Sequence, residues 1–116
     1  MSGSRRPRFV PEAGDIVWLQ FDPQAGHEQA GRRPAVVLSP ATYNGRTGLL
    51  IACPTTTRIK GYPFEVLLAG SRPSVALADQ VESLDWQVRR AMRKSRVGAA
   101  ELQEIRGKAI ALIAGG

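Results

Sequence analysis

Three polar stretches of this 116-residue chain carry side chains suited to an anionic ligand. The first is His27-Glu28-Gln29-Ala30-Gly31-Arg32-Arg33-Pro34, which joins one carboxylate and one amide to two adjacent guanidiniums. Pro34 fixes its own φ and biases Arg33 towards extended geometry, so the apolar run from Ala35 to Ser39 braces the last loop arginine. The second stretch, Thr55-Thr56-Thr57-Arg58-Ile59-Lys60, combines hydroxyls with two cations, and the third is the pair Asp79-Gln80. Arginine is the natural forked donor for a phosphate, hydroxyls and loop amides complete an oxyanion cradle, and a carboxylate accepts a proton. Such a set suits cleavage of an RNA phosphodiester, where the substrate's own 2′-hydroxyl attacks and no metal is required. That chemistry needs a base near the 2′-oxygen, positive stabilisation of the crowded phosphorus and a donor to the leaving 5′-oxygen.

Composition narrows the partners. The chain has a net charge of +6 and a pI of about 10.4, which points to a nucleic acid or an acidic protein. One cysteine, Cys53, rules out an intrachain disulfide and reads as an inert core thiol. With one histidine and one cysteine, a transition-metal site of nitrogen and sulfur ligands is not expected, and nothing calls for a cofactor. No apolar run approaches the ~20 residues of a membrane span, and the first residues contain no apolar segment resembling a signal peptide. The cytosol is the expected location, with no membrane partner.

Those polar stretches need a scaffold. Residues 1–8 read as a basic arm, disordered or loosely attached, and residues 9–116 as one domain with a small core. Strands are expected at Ile16 to Phe21, Ala35 to Ser39, Leu49 to Cys53, Phe64 to Leu68 and Val75 to Val81, with extended structure recurring from Leu84 to Met92. Both alternating faces of the first run are mostly apolar, as in a central strand. Asp22-Pro23 and Pro54 read as strand stops, and Pro40 to Gly45 as a turn closed by Asn44-Gly45 that can hold one helical turn. Only the end reads as a helix, with Leu102, Ile105, Ala109, Leu112 and Ile113 on one apolar face. Gly98 is its expected cap, Glu101 and Glu104 suit the positive end of the dipole, and Gly107 weakens it. Short strands separated by turns indicate a mainly β, compact antiparallel barrel with a C-terminal α-helix. Each polar stretch lies at a strand end, so the three can converge on one rim.

Four segments add a more specific signal. Gly-Asp-Ile-Val-Trp at 14–18, Glu-Gln-Ala-Gly-Arg-Arg-Pro-Ala-Val-Val-Leu-Ser at 28–39, Lys-Gly-Tyr-Pro-Phe-Glu-Val at 60–66 and Ala-Leu-Ala-Asp-Gln-Val at 76–81 closely resemble the MazF/PemK toxin family. The likeness runs nearly without gaps from about Phe9 to Ile113. It implies an SH3-like (PemK-like) barrel with a C-terminal helix, a homodimer, and a sequence-specific, metal-independent endoribonuclease that cuts single-stranded mRNA. Implied products carry a 2′,3′-cyclic phosphate and a 5′-hydroxyl. The implied protein partner is a cognate MazE-like antitoxin whose acidic, apolar tail covers the RNA surface.

By position, the resemblance makes Arg33 the phosphate-binding arginine, Thr56 the functional hydroxyl and Glu28 the candidate base. A guanidinium holds its proton too firmly for simple general-acid work, so Arg33 is expected to stabilise the transition state and Thr56 to bond a phosphate oxygen or relay a proton. Gln29, Thr57, Arg58, Lys60, Asp79 and Gln80 are candidate RNA contacts. The plasmid-borne branch of the family carries an Arg-x-Asp pair where this chain has Leu77 and Asp79, which argues against Asp79 as catalyst. The helix entrance Ala99-Ala100-Glu101 also lacks the proline of close relatives.

Simpler readings compete at each position. Arg33 and Glu28 can form an ordinary surface pair worth ~0–1 kcal/mol. Thr56 can be a plain turn hydroxyl, and His27 reads as a solvated loop residue. Trp18 reads as core, and Trp86 as core or interface. Arg89, Arg90, Arg93, Lys94 and Arg96 either steer RNA or form a solvated strand face. Two other functions share such a barrel: a CcdB-like toxin that blocks a protein target, which lacks the Glu-Gln-Ala-Gly-x-Arg-Pro loop, and a non-catalytic RNA-binding module.

Overall fold

The computed structural model describes residues 9–21 and 31–115. Its elements in chain order are β1 (Asp15–Gln20), β2 (Arg32–Val37), α1 (Ala41–Thr47), β3 (Leu49–Thr56), β4 (Glu65–Leu68), β5 (Ser74–Leu77), β6 (Glu82–Asp85), β7 (Met92–Arg96) and α2 (Ala99–Ala114). All strand pairs are antiparallel, in the order β4-β5-β3-β2-β1-β7, with β6 also paired to β3. β3 is the hub. One edge pairs with β2, while the other pairs with β6 along Leu49–Ala52 and then with β5 at Thr55 and Thr56. Handing one edge to two successive partners curls the sheet into a half-barrel with α2 packed against it. The mainly β architecture and C-terminal helix expected from the sequence are present.

Alternation along the strands builds two cores, one per face. Val17, Leu19, Ala35, Val37, Leu50, Ala52, Leu84 and Trp86 pack together on one side. Val36, Cys53, Val66, Ala76 and Ile105 pack on the other, beneath α2. The two apolar faces of β1 have this origin: Ile16 joins the second cluster while Val17 and Leu19 belong to the first.

Several boundaries differ from those the sequence suggests. β2 begins at Arg32 rather than Ala35, because Gln20 and Leu19 pair with Arg32 and Arg33 across the sheet. Pro34 stands inside that strand opposite Trp18, and Pro54 inside β3 opposite Ala35. Each stands where a neighbouring ladder is interrupted: the β2–β3 pairing stops at Ala35, short of Pro34, and Pro54 falls between the β6 and β5 pairings of β3. β5 ends at Leu77, and the stretch expected to recur as strand divides into β6, a turn and β7. Arg90 occupies that turn with φ of 53°.

The turn at 40–45 is instead a seven-residue helix running through Asn44-Gly45, and it ends at Gly48, whose φ is 76° and whose N–H donates to the Asn44 carbonyl. Asn44 is fully buried and organises this corner. Its amide donates to the carbonyls of Pro11 (2.8 Å) and Ser39 (3.0 Å), and its side-chain oxygen accepts from the Ser39 hydroxyl (2.6 Å). The Ser39 hydroxyl oxygen accepts from the Ile51 N–H, and the Trp86 indole donates to the Asn44 carbonyl at 2.9 Å. Trp86 is therefore core. An Asn-Gly pair that looks like turn chemistry is here a satisfied polar knot.

α2 is fastened by polar contacts as much as by its apolar face. Glu101 accepts from the Gly98 N–H (2.8 Å) and the Ala69 N–H (2.7 Å). Arg106 donates to the Leu38 carbonyl, and Lys108 to the carbonyls of Pro63 and Glu65. Ile105 and Ala109 are buried, whereas Leu112 and Ile113 are exposed, contrary to their expected place on the packed face. A 16-residue helix is ~24 Å long and overruns the four-residue strand β4 beside it.

Asn44→Ala strands two carbonyls and a hydroxyl and is expected to cost about 2–3 kcal/mol in chemical denaturation. A Cβ on Gly107 meets nothing within 4 Å. Gly107→Ala is expected to raise stability by up to ~1 kcal/mol in the same assay.

Candidate active site

The register of β2 on β3 decides where the chemistry can sit. Ala35 faces Pro54, Val36 faces Cys53 and Val37 faces Ala52. The ladder stops there: Arg33 lies two residues beyond Ala35 on β2 and Thr56 two beyond Pro54 on β3, and alternation gives both the facing of Ala35 and Pro54. Both line one open cavity of about 670 Å³. Arg33 is exposed and Thr56 half-buried. The Thr56 oxygen accepts the Arg58 N–H at 3.1 Å, so its hydroxyl hydrogen is available to donate to an anion.

The other candidates divide between two adjoining cavities. Thr57 lines the first. Arg58, Lys60 and Asp79 line a second of about 260 Å³, and Thr56, Leu77 and Gln80 belong to both. Seven of the nine candidates thus gather on one surface. Glu28 and Gln29, like the neighbouring His27 and the arm at 1–8, lie outside the described residues.

Glu65, which sequence reasoning treated only as a strand residue, shapes the basic loop. The residue is 8% exposed. It accepts the N–H groups of Gly61 (2.9 Å) and Lys60 (3.2 Å), which ties the segment carrying Arg58 and Lys60 to the start of β4. Its signal was a lone carboxylate inside the otherwise apolar run Phe64 to Leu68.

Trp18 is the clearest departure from expectation. Rather than core, its half-buried ring forms part of the first cavity's wall, with the Arg32 guanidinium at 5.3 Å and the Lys94 ammonium at 5.6 Å from its centroid. The β1–β7 ladder shifts register between Ile16 and Val17, an irregularity that re-aims nearby side chains.

The basic cluster near the C-terminus resolves into separate jobs. Arg96 and Arg93 pair with the buried Asp15 at 2.7 and 3.6 Å. Arg89 donates to the Gln20 carbonyl and lies over the Phe21 ring at 4.9 Å. Lys94 joins Arg33 and Arg72 in lining the first cavity. The cluster is therefore partly structural and partly a cationic wall, suited to holding a polyanion.

The family model for PemK-like, MazF-like toxins of type II toxin–antitoxin systems matches residues 12–113. The chain belongs to this MazF-like toxin family. It is 55% identical over 107 residues to the endoribonuclease toxin MazF of Escherichia coli K12, covering 91% of this chain and 96% of that protein. It is 33% identical to the Escherichia coli endoribonuclease PemK, over 84% of this chain and 77% of the relative. Among solved structures, MazF in a MazE-MazF crystal (Form-II) from Deinococcus radiodurans matches with a TM-score of 0.81 at 51% identity, covering 91% and 97% of the two chains. A Mycobacterium tuberculosis toxin, MazF-mt6, shares only the fold, at 19% identity and a TM-score of 0.66.

In this MazF-like toxin Leu77 replaces the arginine of the plasmid-borne branch and stands half-buried in the wall shared by both cavities. Cys53 lines the first cavity yet is 1% exposed, and burial, aided by the Asp79 charge, pushes its thiol up to about 12. A thiol so held is neither nucleophile nor ligand. Iodoacetamide under mildly alkaline conditions is expected to leave Cys53 unmodified in the folded protein and to alkylate it in urea, as read by intact mass. The folded thiol ionises later than the unfolded one. The stability it contributes is therefore complete below the ordinary value of 9.0 and is lost as pH rises towards about 12.

Proposed function

We propose that this chain is the toxin of a toxin–antitoxin pair: a sequence-specific, metal-independent endoribonuclease acting on single-stranded mRNA. One observation carries the reading. A guanidinium and a donor hydroxyl, Arg33 and Thr56, stand just past the end of the β2–β3 ladder on the wall of one cation-lined cavity. That pairing matches the crowded, doubly charged phosphorus of an RNA transesterification. In the proposed reaction Glu28 takes the proton of the 2′-hydroxyl, and the 2′-oxygen bonds to phosphorus as the bond to the 5′-oxygen breaks. Arg33 balances the charge on the non-bridging oxygens. Thr56 hydrogen-bonds one of them or relays a proton from solvent, and the departing 5′-oxygen takes up a solvent proton to leave as the hydroxyl. The products are a 2′,3′-cyclic phosphate and a 5′-hydroxyl.

Thr57, Arg58, Lys60, Asp79 and Gln80, with Gln29 in the preceding loop, are the proposed RNA contacts, and the Glu65 clamp presents the basic loop that carries two of them. The chain is proposed to act as a cytoplasmic homodimer. A MazE-like antitoxin with an acidic, apolar tail is its proposed inhibitor, since carboxylates placed along the cavity meet Arg33, Arg72 and Lys94 in place of phosphates. Among the described residues no helix is long and apolar enough to cross a membrane.

Incubation with a long single-stranded RNA in EDTA tests the function directly. Site-selective cuts with 5′-hydroxyl ends are expected, and Arg33→Ala is expected to slow them about 10²–10³-fold, the usual effect of removing one oxyanion donor. Thr56→Ala is expected to act in the same direction. RNA bound but left intact would favour the non-catalytic module, and indifference to RNA the CcdB-like protein blocker.

A further inference from the structure

We propose that Glu82 selects the base beside the scissile phosphate, accepting hydrogen bonds from an amino-bearing nucleobase and rejecting uracil. The inference rests on the endoribonuclease reading above and names part of its specificity.

Sheet register puts this carboxylate in the site. β6 pairs with β3 so that Glu82 faces Ala52 and Leu84 faces Leu50. Ala52 in turn faces Val37 on β2. Alternation therefore places Glu82 on the face that carries Arg33 and Thr56. It is exposed and lines the 670 Å³ cavity. Among the described residues it is the only carboxylate in that lining, where the other charged groups are Arg33, Arg72 and Lys94. Among the described residues no cation stands within salt-bridge distance of it.

A carboxylate in a phosphate-binding wall repels the backbone it must admit, so its use lies with another part of the RNA. It can only accept hydrogen bonds. A splayed single-stranded base offers donors on its Watson–Crick edge. Guanine presents adjacent N1–H and N2–H donors that match two carboxylate oxygens. Cytosine and adenine each present an exocyclic amine. Uracil offers one ring N–H between two carbonyl oxygens, both repelled by a carboxylate. Guanine is thus favoured, cytosine and adenine tolerated and uracil disfavoured at the nucleotide lying against β6.

The test is cleavage of a randomised single-stranded RNA library by the full-length chain and by Glu82→Gln and Glu82→Ala, followed by sequencing of the 5′-hydroxyl ends. Circular dichroism checks that each variant is folded. The wild type is expected to show uracil depleted about tenfold at one position flanking the cut. Both variants are expected to bring that position close to an even base distribution while preferences elsewhere persist. A wild-type profile without uracil depletion, or a depletion unchanged in both variants, overturns the assignment. So does a uniform rate loss with an unchanged profile, which would give Glu82 to the chemical step. Selective cuts with a profile indifferent to Glu82 sink this inference alone, whereas a wild type that cuts nothing sinks the endoribonuclease reading beneath it.

Discussion

The antiparallel register of β2 on β3 is the constraint on which the site depends. It sets Arg33 and Thr56 on the wall of one cavity although 22 residues, an entire helix among them, lie between them in sequence. Because side chains alternate along a strand, a slip of one residue would turn Arg33 to the opposite face and remove one of the cavity's cations. The register is held by what lies behind it. Ala35, Val37 and Ala52 are locked in one core, Val36 and Cys53 in the other, and neither face can exchange places without exposing apolar surface.

Polar anchoring finishes what the cores begin. Asn44 and its partner Ser39 connect the N-terminal segment, the end of β2, β3 and the tryptophan after β6, so one buried residue pair ties together four stretches remote in sequence. Glu65 does the same for the basic loop through its carboxylate, and Lys108 of α2 secures the carbonyls on either side of β4's start. Such groups contribute most by leaving no buried donor or acceptor without a partner.

Charge is apportioned with similar economy. A run of five basic residues near the C-terminus looks uniform in sequence. Asp15 engages Arg93 and Arg96 beneath the sheet edge, Arg89 settles on Phe21, and Lys94 is left to the cavity. Part of the net charge is thus taken up by structural contacts. Arg33, Arg72 and Lys94 line the first cavity, with Trp18 beside two cations as an aromatic surface.

The amino-acid sequence by itself determined the class of fold, most strand cores, the terminal helix and the polar stretches that supply Arg33, Thr56, Asp79 and Gln80 to the cavity walls. Apolar alternation, turn residues and motif spacing are local properties that a linear chain displays openly. Tertiary structure alone decided that Pro34 and Pro54 sit inside strands, since only the ladder partner shows whether a proline's missing N–H matters. It turned Asn44-Gly45 from a turn into a helix by supplying buried partners for the amide. It also drew Trp18 into the cavity wall and gave Glu65 and Glu82 their places, because those depend on which strands lie side by side. Periodicity tells a residue which face it takes; only the pairing of strands decides what that face meets.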